Sequence, residues 1–100
     1  SNSEELLQFE DLNLNLNTYT VEVDGETIEL TLKEFNILKT LIEKYPQVIT
    51  RENLLDSIWG YDYYGDTRIV DAHIKNLRKK IKLQYIKTVK GIGYTLEKSI

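Results

Sequence analysis

The sequence contains no cysteine and no methionine, and only one histidine, one proline and one tryptophan in 100 residues. Without thiols there is neither a disulfide framework nor a thiolate metal site. A single imidazole excludes an all-histidine metal site, and Asp62 and Asp66 in one loop fall short of the roughly six to eight oxygen ligands of a calcium site. No apolar run approaches the ~20 residues of a membrane span. The polar, acidic start SNSEE is unlike a signal peptide. Nucleophile motifs and phosphate-cradling loops are also missing, so neither an enzyme nor a cofactor is expected. The absence of cysteine fits a reducing cytosol, and a cytoplasmic location is expected. A chain that starts at Ser1 and has no methionine is expected to be a piece of a longer protein, with residues 1–6 a linker or vector-derived remnant and residues 7–100 one domain.

The formal net charge is −3, but the charges are segregated. Residues 1–66 hold 4 Lys/Arg and 14 Asp/Glu, net −10; residues 67–100 hold 9 and 2, net +7. Fields are screened over ~8–10 Å, so this local asymmetry matters more than the total. The basic end suits a polyanion.

Up to Leu30 the apolar residues alternate: Leu7 and Phe9, then Leu12, Leu14 and Leu16, then Tyr19, Val21 and Val23, then Ile28 and Leu30. This period predicts three or four antiparallel strands with one face buried, and Asp24-Gly25 marks a hairpin turn. The period changes at Thr31-Leu32-Lys33-Glu34, a capping-box sequence. Phe35, Leu38, Leu41, Ile42 and Tyr45 follow at helical spacing until Pro46 stops the helix. Val48-Ile49 is long enough only for a strand-like bridge. Thr50 caps a second helix with Leu54, Leu55, Ile58 and Trp59 as apolar positions, ended by Gly60. After a loop rich in Tyr, Gly and Asp, Asp66 or Thr67 caps a third helix over 67–82. Val70, Ile74, Leu77 and Ile81 form a narrow apolar stripe there, with Arg68, Lys75, Arg78, Lys79, Lys80 and Lys82 on the other faces. Ile86, Thr88, Tyr94 and Leu96 give a terminal hairpin, and the spacing predicts that Gly91 and Gly93 serve its turn. The class is α+β, a winged helix-turn-helix, with an N-terminal antiparallel sheet of three or four strands, three helices and a C-terminal β-hairpin wing.

The stretch WGYDYYGDTRIVDAHIKNLRKKI, followed by IKTVKGIGY, resembles the C-terminal effector domain of OmpR/PhoB-type response regulators. LTLKEFNILKTLIEKYPQVITRENLLDSIWG resembles the first two helices of the same family, and the likeness spans roughly residues 7–97. It implies a four-stranded N-terminal antiparallel sheet, sequence-specific binding of promoter double-stranded DNA and transcriptional regulation at the end of a phosphorelay. It implies tandem copies on direct repeats and a sensor histidine kinase acting through a receiver domain absent from this chain. It places helix 67–82 in the major groove and the wing, 90–93, at the minor groove. Base contact is then implied for Asn76, with Ala72 and Asp71 near the same edges and Lys90 reaching the minor groove. Phosphate contact is implied for Trp59, Arg68, His73, Lys75, Arg78, Thr88 and Tyr94.

Asn pairs with adenine N6/N7, whereas many relatives carry Arg at this position, so the resemblance combined with Asn76 suggests an adenine preference. The residue alone is equally compatible with a solvent-facing side chain. Trp59 and Tyr94 suit core packing as well as donation from a polar tip. In relatives the loop corresponding to Tyr61, Asp62, Tyr63, Tyr64, Gly65 and Asp66 can touch RNA polymerase; its tyrosines also suit simple packing. A winged helix used only for protein–protein contact is the alternative function. The overall acidity favours it and the basic third helix opposes it.

Overall fold

The computed structural model describes residues 5–60, 63, 65–81 and 85–98. The early alternation becomes four strands, β1 (Leu6–Phe9), β2 (Leu12–Asn15), β3 (Thr20–Val23) and β4 (Glu26–Ile28), antiparallel in that spatial order. Register puts Phe9, Leu12 and Val23 in one cross-strand row and Leu7, Leu14, Val21 and Ile28 in the next. These residues line one face, while Gln8 and Glu22 point to water. Asp24 and Gly25 both have positive φ, +57° and +84°, the pair that a two-residue hairpin of right-handed twist needs. Tyr19 departs from the alternation: it sits in a turn at φ +58° and is exposed. The cause lies at Asn15, whose side-chain oxygen accepts the N–H groups of Asn17 (2.9 Å) and Thr18 (3.1 Å) and curls the chain out of the strand.

The capping box forms as predicted at the start of α1 (Leu32–Lys44). The Glu34 N–H donates to Thr31 Oγ1 (3.2 Å) and the Thr31 N–H to Glu34 Oε1 (2.9 Å). Phe35, Leu38 and Leu41 are buried as the spacing implies, but so are Ile37 and Glu34. The reason is position: α1 touches β1 of the sheet, both other helices and the C-terminal hairpin, so it is covered on more than one side.

Four residues separate α1 from the short strand β5 (Ile49–Thr50), which leads directly into α2 (Arg51–Ile58), capped by Thr50 Oγ1 on the Asn53 N–H (3.1 Å). Gly60 follows at φ +95°. In α3 (Arg68–Ile81) the entire predicted stripe is buried. At its start the Asp66 carboxylate accepts the Arg68 N–H (2.9 Å) and the Thr67 carbonyl accepts the Val70 N–H (3.0 Å). The wing is β6 (Ile86–Val89) and β7 (Gly93–Leu96).

Gly93 is a correction to the turn reading. It lies in β7, with β5 as a third strand on its other side, Ile49 opposite Tyr94 and Thr50 opposite Gly93. A Cβ at Gly93 would run into the Ile49 carbonyl oxygen and come within 2.8 Å of Thr50 Cα. Glycine is there for close strand approach; Gly91, at φ +79° with open space around it, is the turn residue.

Candidate nucleic-acid interface

Burying Val70, Ile74, Leu77 and Ile81 turns the opposite side of α3 outward. Arg68, Ala72, Lys75, Asn76 and Lys79 are exposed and recur at three- and four-residue steps along a helix of about 21 Å. Three cations thus flank a methyl-sized side chain and an amide. Arg68 is engaged locally: its Nε (2.9 Å) and a terminal nitrogen (2.8 Å) reach Asp66 Oδ2 in an exposed pair. Hydrogen bonding to Arg68 lowers the Asp66 carboxyl from its usual range.

The flanks of the same helix are half-buried and tied to neighbouring elements. The His73 Nδ1 lies 2.9 Å from the Ile69 carbonyl oxygen, which can only accept, so Nδ1 carries a proton. Its ring meets the half-buried Trp59 edge-on at 5.0 Å, and Lys33 Nζ sits 5.3 Å from the Trp59 ring centroid. Arg78 donates to the Ile86 carbonyl (2.9 Å) and to Thr88 Oγ1 (2.8 Å), joining α3 to β6. That bond leaves the exposed Thr88 hydroxyl its own proton to donate. Lys80 reaches inward to Glu34 Oε1 (2.8 Å).

Asp71 and Tyr94 meet each other. Tyr94 is buried and its hydroxyl donates to Asp71 Oδ1, the same oxygen that takes Arg51 Nε at 2.7 Å. Arg51 and Arg78 stand 5.3 Å and 5.8 Å from the Tyr94 ring centroid, both within cation–π range. Burial works to raise the Asp71 carboxyl, but the Tyr94 hydroxyl and the Arg51 guanidinium outweigh it and hold it below its usual value. Burial first, and then Asp71, push the Tyr94 phenol up. The phenol proton is therefore committed inside the protein rather than offered outward.

At the wing tip Lys90 and Ile92 are exposed, and the Ile92 N–H closes the turn on the Val89 carbonyl (2.9 Å). Of the candidate polymerase loop, Tyr61, Asp62 and Tyr64 lie outside the described residues, as does Lys82. Tyr63 is half-buried, its ring 6.3 Å from Trp59, and it packs so closely over Gly65 that a Cβ there would strike the phenol. Asp66 is exposed and paired with Arg68. Among the described residues no group of three or more carboxylates and imidazoles could hold a metal ion, and no helix is long and apolar enough to cross a membrane.

Sequence spacing missed Arg51. The one local signal is weak: Arg51 is the first residue of α2, where the helix dipole disfavours a cation by about 0.3–1 kcal/mol, a cost that a tertiary carboxylate offsets.

Three helices behind a four-stranded sheet, with a basic, outward-facing third helix leading into a hairpin, define a winged helix-turn-helix domain. Residues 25–96 match the family described as "Transcriptional regulatory protein, C terminal". The chain is 40% identical over 100 residues to the sensory transduction protein RegX3 of Mycobacterium tuberculosis, covering 95% of this chain and 44% of RegX3. It is 43% identical over 98 residues to the Bacillus subtilis transcriptional regulatory protein YclJ, covering 94% of this chain and 43% of that protein. The chain thus spans less than half the length of these relatives. Among solved structures, the Klebsiella pneumoniae RstA DNA-binding domain in complex with the RstA box superimposes with a TM-score of 0.82 at 31% identity, covering 92% of this chain and 96% of that one. The Thermotoga maritima response regulator DrrB, an OmpR/PhoB homolog, gives a TM-score of 0.81 at 40% identity, covering 91% of this chain and 43% of DrrB. The chain belongs to this family and is a C-terminal effector domain of the OmpR/PhoB response-regulator type, a class of transcription factors and not of enzymes.

Proposed function

We propose that this domain binds promoter double-stranded DNA sequence-specifically and regulates transcription as the output of a phosphorelay. The observation that carries the reading is the exposed face of α3, where Arg68, Lys75 and Lys79 surround Ala72 and Asn76. Cations placed this way neutralise phosphates on both sides of a groove, while the small Ala72 lets the helix come close to base edges. Asn76 reads bases, with adenine its best partner, and Asp71 offers an acceptor beside it. Arg68, His73, Lys75, Arg78, Thr88 and the Trp59 indole grip phosphates. Tyr94 acts from behind them by ordering Asp71 and stacking with Arg78. Lys90 enters the minor groove from the wing tip, where narrow A·T-rich segments attract cations. The likeness to the RstA domain, which was solved on its DNA box, supports this docking. A second copy binds in tandem on a direct repeat, a kinase acts through a receiver domain in the longer protein, and the 60–66 loop meets RNA polymerase. The setting is cytoplasmic.

A salt titration of duplex binding tests the reading. If the domain covers about six phosphates, log K falls against log salt with a slope near −5. Failure to bind any promoter duplex at low salt would leave the protein–protein alternative standing instead.

A further inference from the structure

Arg51 has no role in the contacts proposed above, yet its position needs explaining. A cation at the first residue of α2 faces the positive end of that helix. What holds it is Asp71, 20 residues further along and on a different helix, at 2.7 Å. Tyr94, from β7, donates to the same oxygen. Two donors from two elements converge on Oδ1, which fixes the rotation of the carboxylate. Oδ2 accepts no hydrogen bond among the described residues, and the Asp71 side chain is 38% exposed. Asp71 directly precedes Ala72 on the outward face and lies one turn before Lys75. A carboxylate oxygen is acceptor-only, and in the major groove its match is the exocyclic amino group of cytosine.

We propose that Arg51 is a positioning residue for base selectivity: it acts through Asp71, holding Oδ2 outward as an acceptor for a cytosine N4 amino group. Arg51 also balances the charge of Asp71, which would otherwise stand unpaired close to phosphates. The inference rests on the DNA-binding reading.

The experiment is selection from a randomised duplex pool, with salt titration and thermal unfolding run on the same proteins. Wild type should enrich cytosine at one position of the site beside the base read by Asn76. Arg51→Met keeps the aliphatic stem, so the domain should stay folded and keep its salt slope. It should nevertheless lose that preference, on the order of tenfold. Asp71→Asn should lose the same position, and Arg51→Met combined with Asp71→Asn should lose no more than either alone. Tyr94→Phe removes only the second donor and should weaken the same position, which keeps the test open if Arg51→Met unfolds. An unchanged selection profile in both Arg51→Met and Tyr94→Phe overturns the proposal. So does a salt slope shallower by about one unit with the profile intact, because Arg51 would then be a phosphate ligand. Wild type that binds no duplex would overturn the DNA-binding reading itself, a different result from binding without a cytosine position.

Discussion

Replacing Glu34 with alanine removes the only charged side chain that is fully buried among the described residues. The carboxylate is 3% exposed and one oxygen serves two donors, Lys80 Nζ at 2.8 Å and the Thr31 N–H at 2.9 Å. The charge-assisted bond to Lys80 is worth about 1.5–3 kcal/mol. Loss of the returning half of the capping box adds about 1 kcal/mol. The ~3–5 kcal/mol for breaking a fully buried pair is too high here, because the Lys80 side chain is 38% exposed and its ammonium can turn to water. We expect a loss of about 3 kcal/mol and a melting midpoint lower by roughly 12–24 °C for a domain of this size. Glu34→Gln retains an oxygen for the Thr31 N–H and should lose only about 1–2 kcal/mol.

The pH dependence separates charge from shape. Burial works to raise the Glu34 carboxyl, but Lys80 and Thr31 outweigh it, and the folded value lies below the ordinary 4.5. The ion pair therefore stabilises fully above the unfolded value, and its contribution disappears as pH falls through the folded one. Thermal unfolding by circular dichroism across acid and neutral pH should show wild type and Glu34→Gln converging at the acid end. The reasoning is refuted if Glu34→Ala melts within about 2 °C of wild type at neutral pH, or if the Gln deficit is the same at every pH.

Lys75→Ala should weaken binding to all duplexes about equally and make the salt slope shallower by about one unit; an unchanged slope removes Lys75 from the phosphates. Asn76→Ala should relax preference at one base by ~1–3 kcal/mol in a randomised-site selection, and an unaltered profile rejects a bidentate contact. Gly93→Ala must displace β5 from β7, and we expect at least ~1–3 kcal/mol of destabilisation by denaturant unfolding.

What was legible in the sequence was what local spacing encodes. The stripe Val70–Ile81 needs only a 3.6-residue period, the Thr31/Glu34 box only an offset of three, and Asp24-Gly25 only a tolerance for positive φ. The outward face of α3 follows from its buried one. The illegible features join residues far apart in the chain: Glu34 to Lys80, Arg51 to Asp71 and Tyr94, Gly93 to Ile49. No period or offset records these meetings. Glu34 shows the cost of a local reading, since its capping role was visible while its burial and its partner on another helix were not. Asp71 shows the same on the interface, where helical position gave its neighbourhood but not the two donors that orient it.

The pairing of β5 with β7 has a mechanical consequence. The wing is laced to the residue pair that launches α2, and Arg78 pins it to α3. These ties hold the base of the wing against α2 and α3, so the fold sets the reach from the tip at Lys90 to the amide at Asn76, like the jaws of a caliper. Under the proposed docking, a duplex must present its two grooves at that separation to be gripped at both points. The same docking favours sequences whose groove width and bending meet the gauge, at base pairs that no side chain touches.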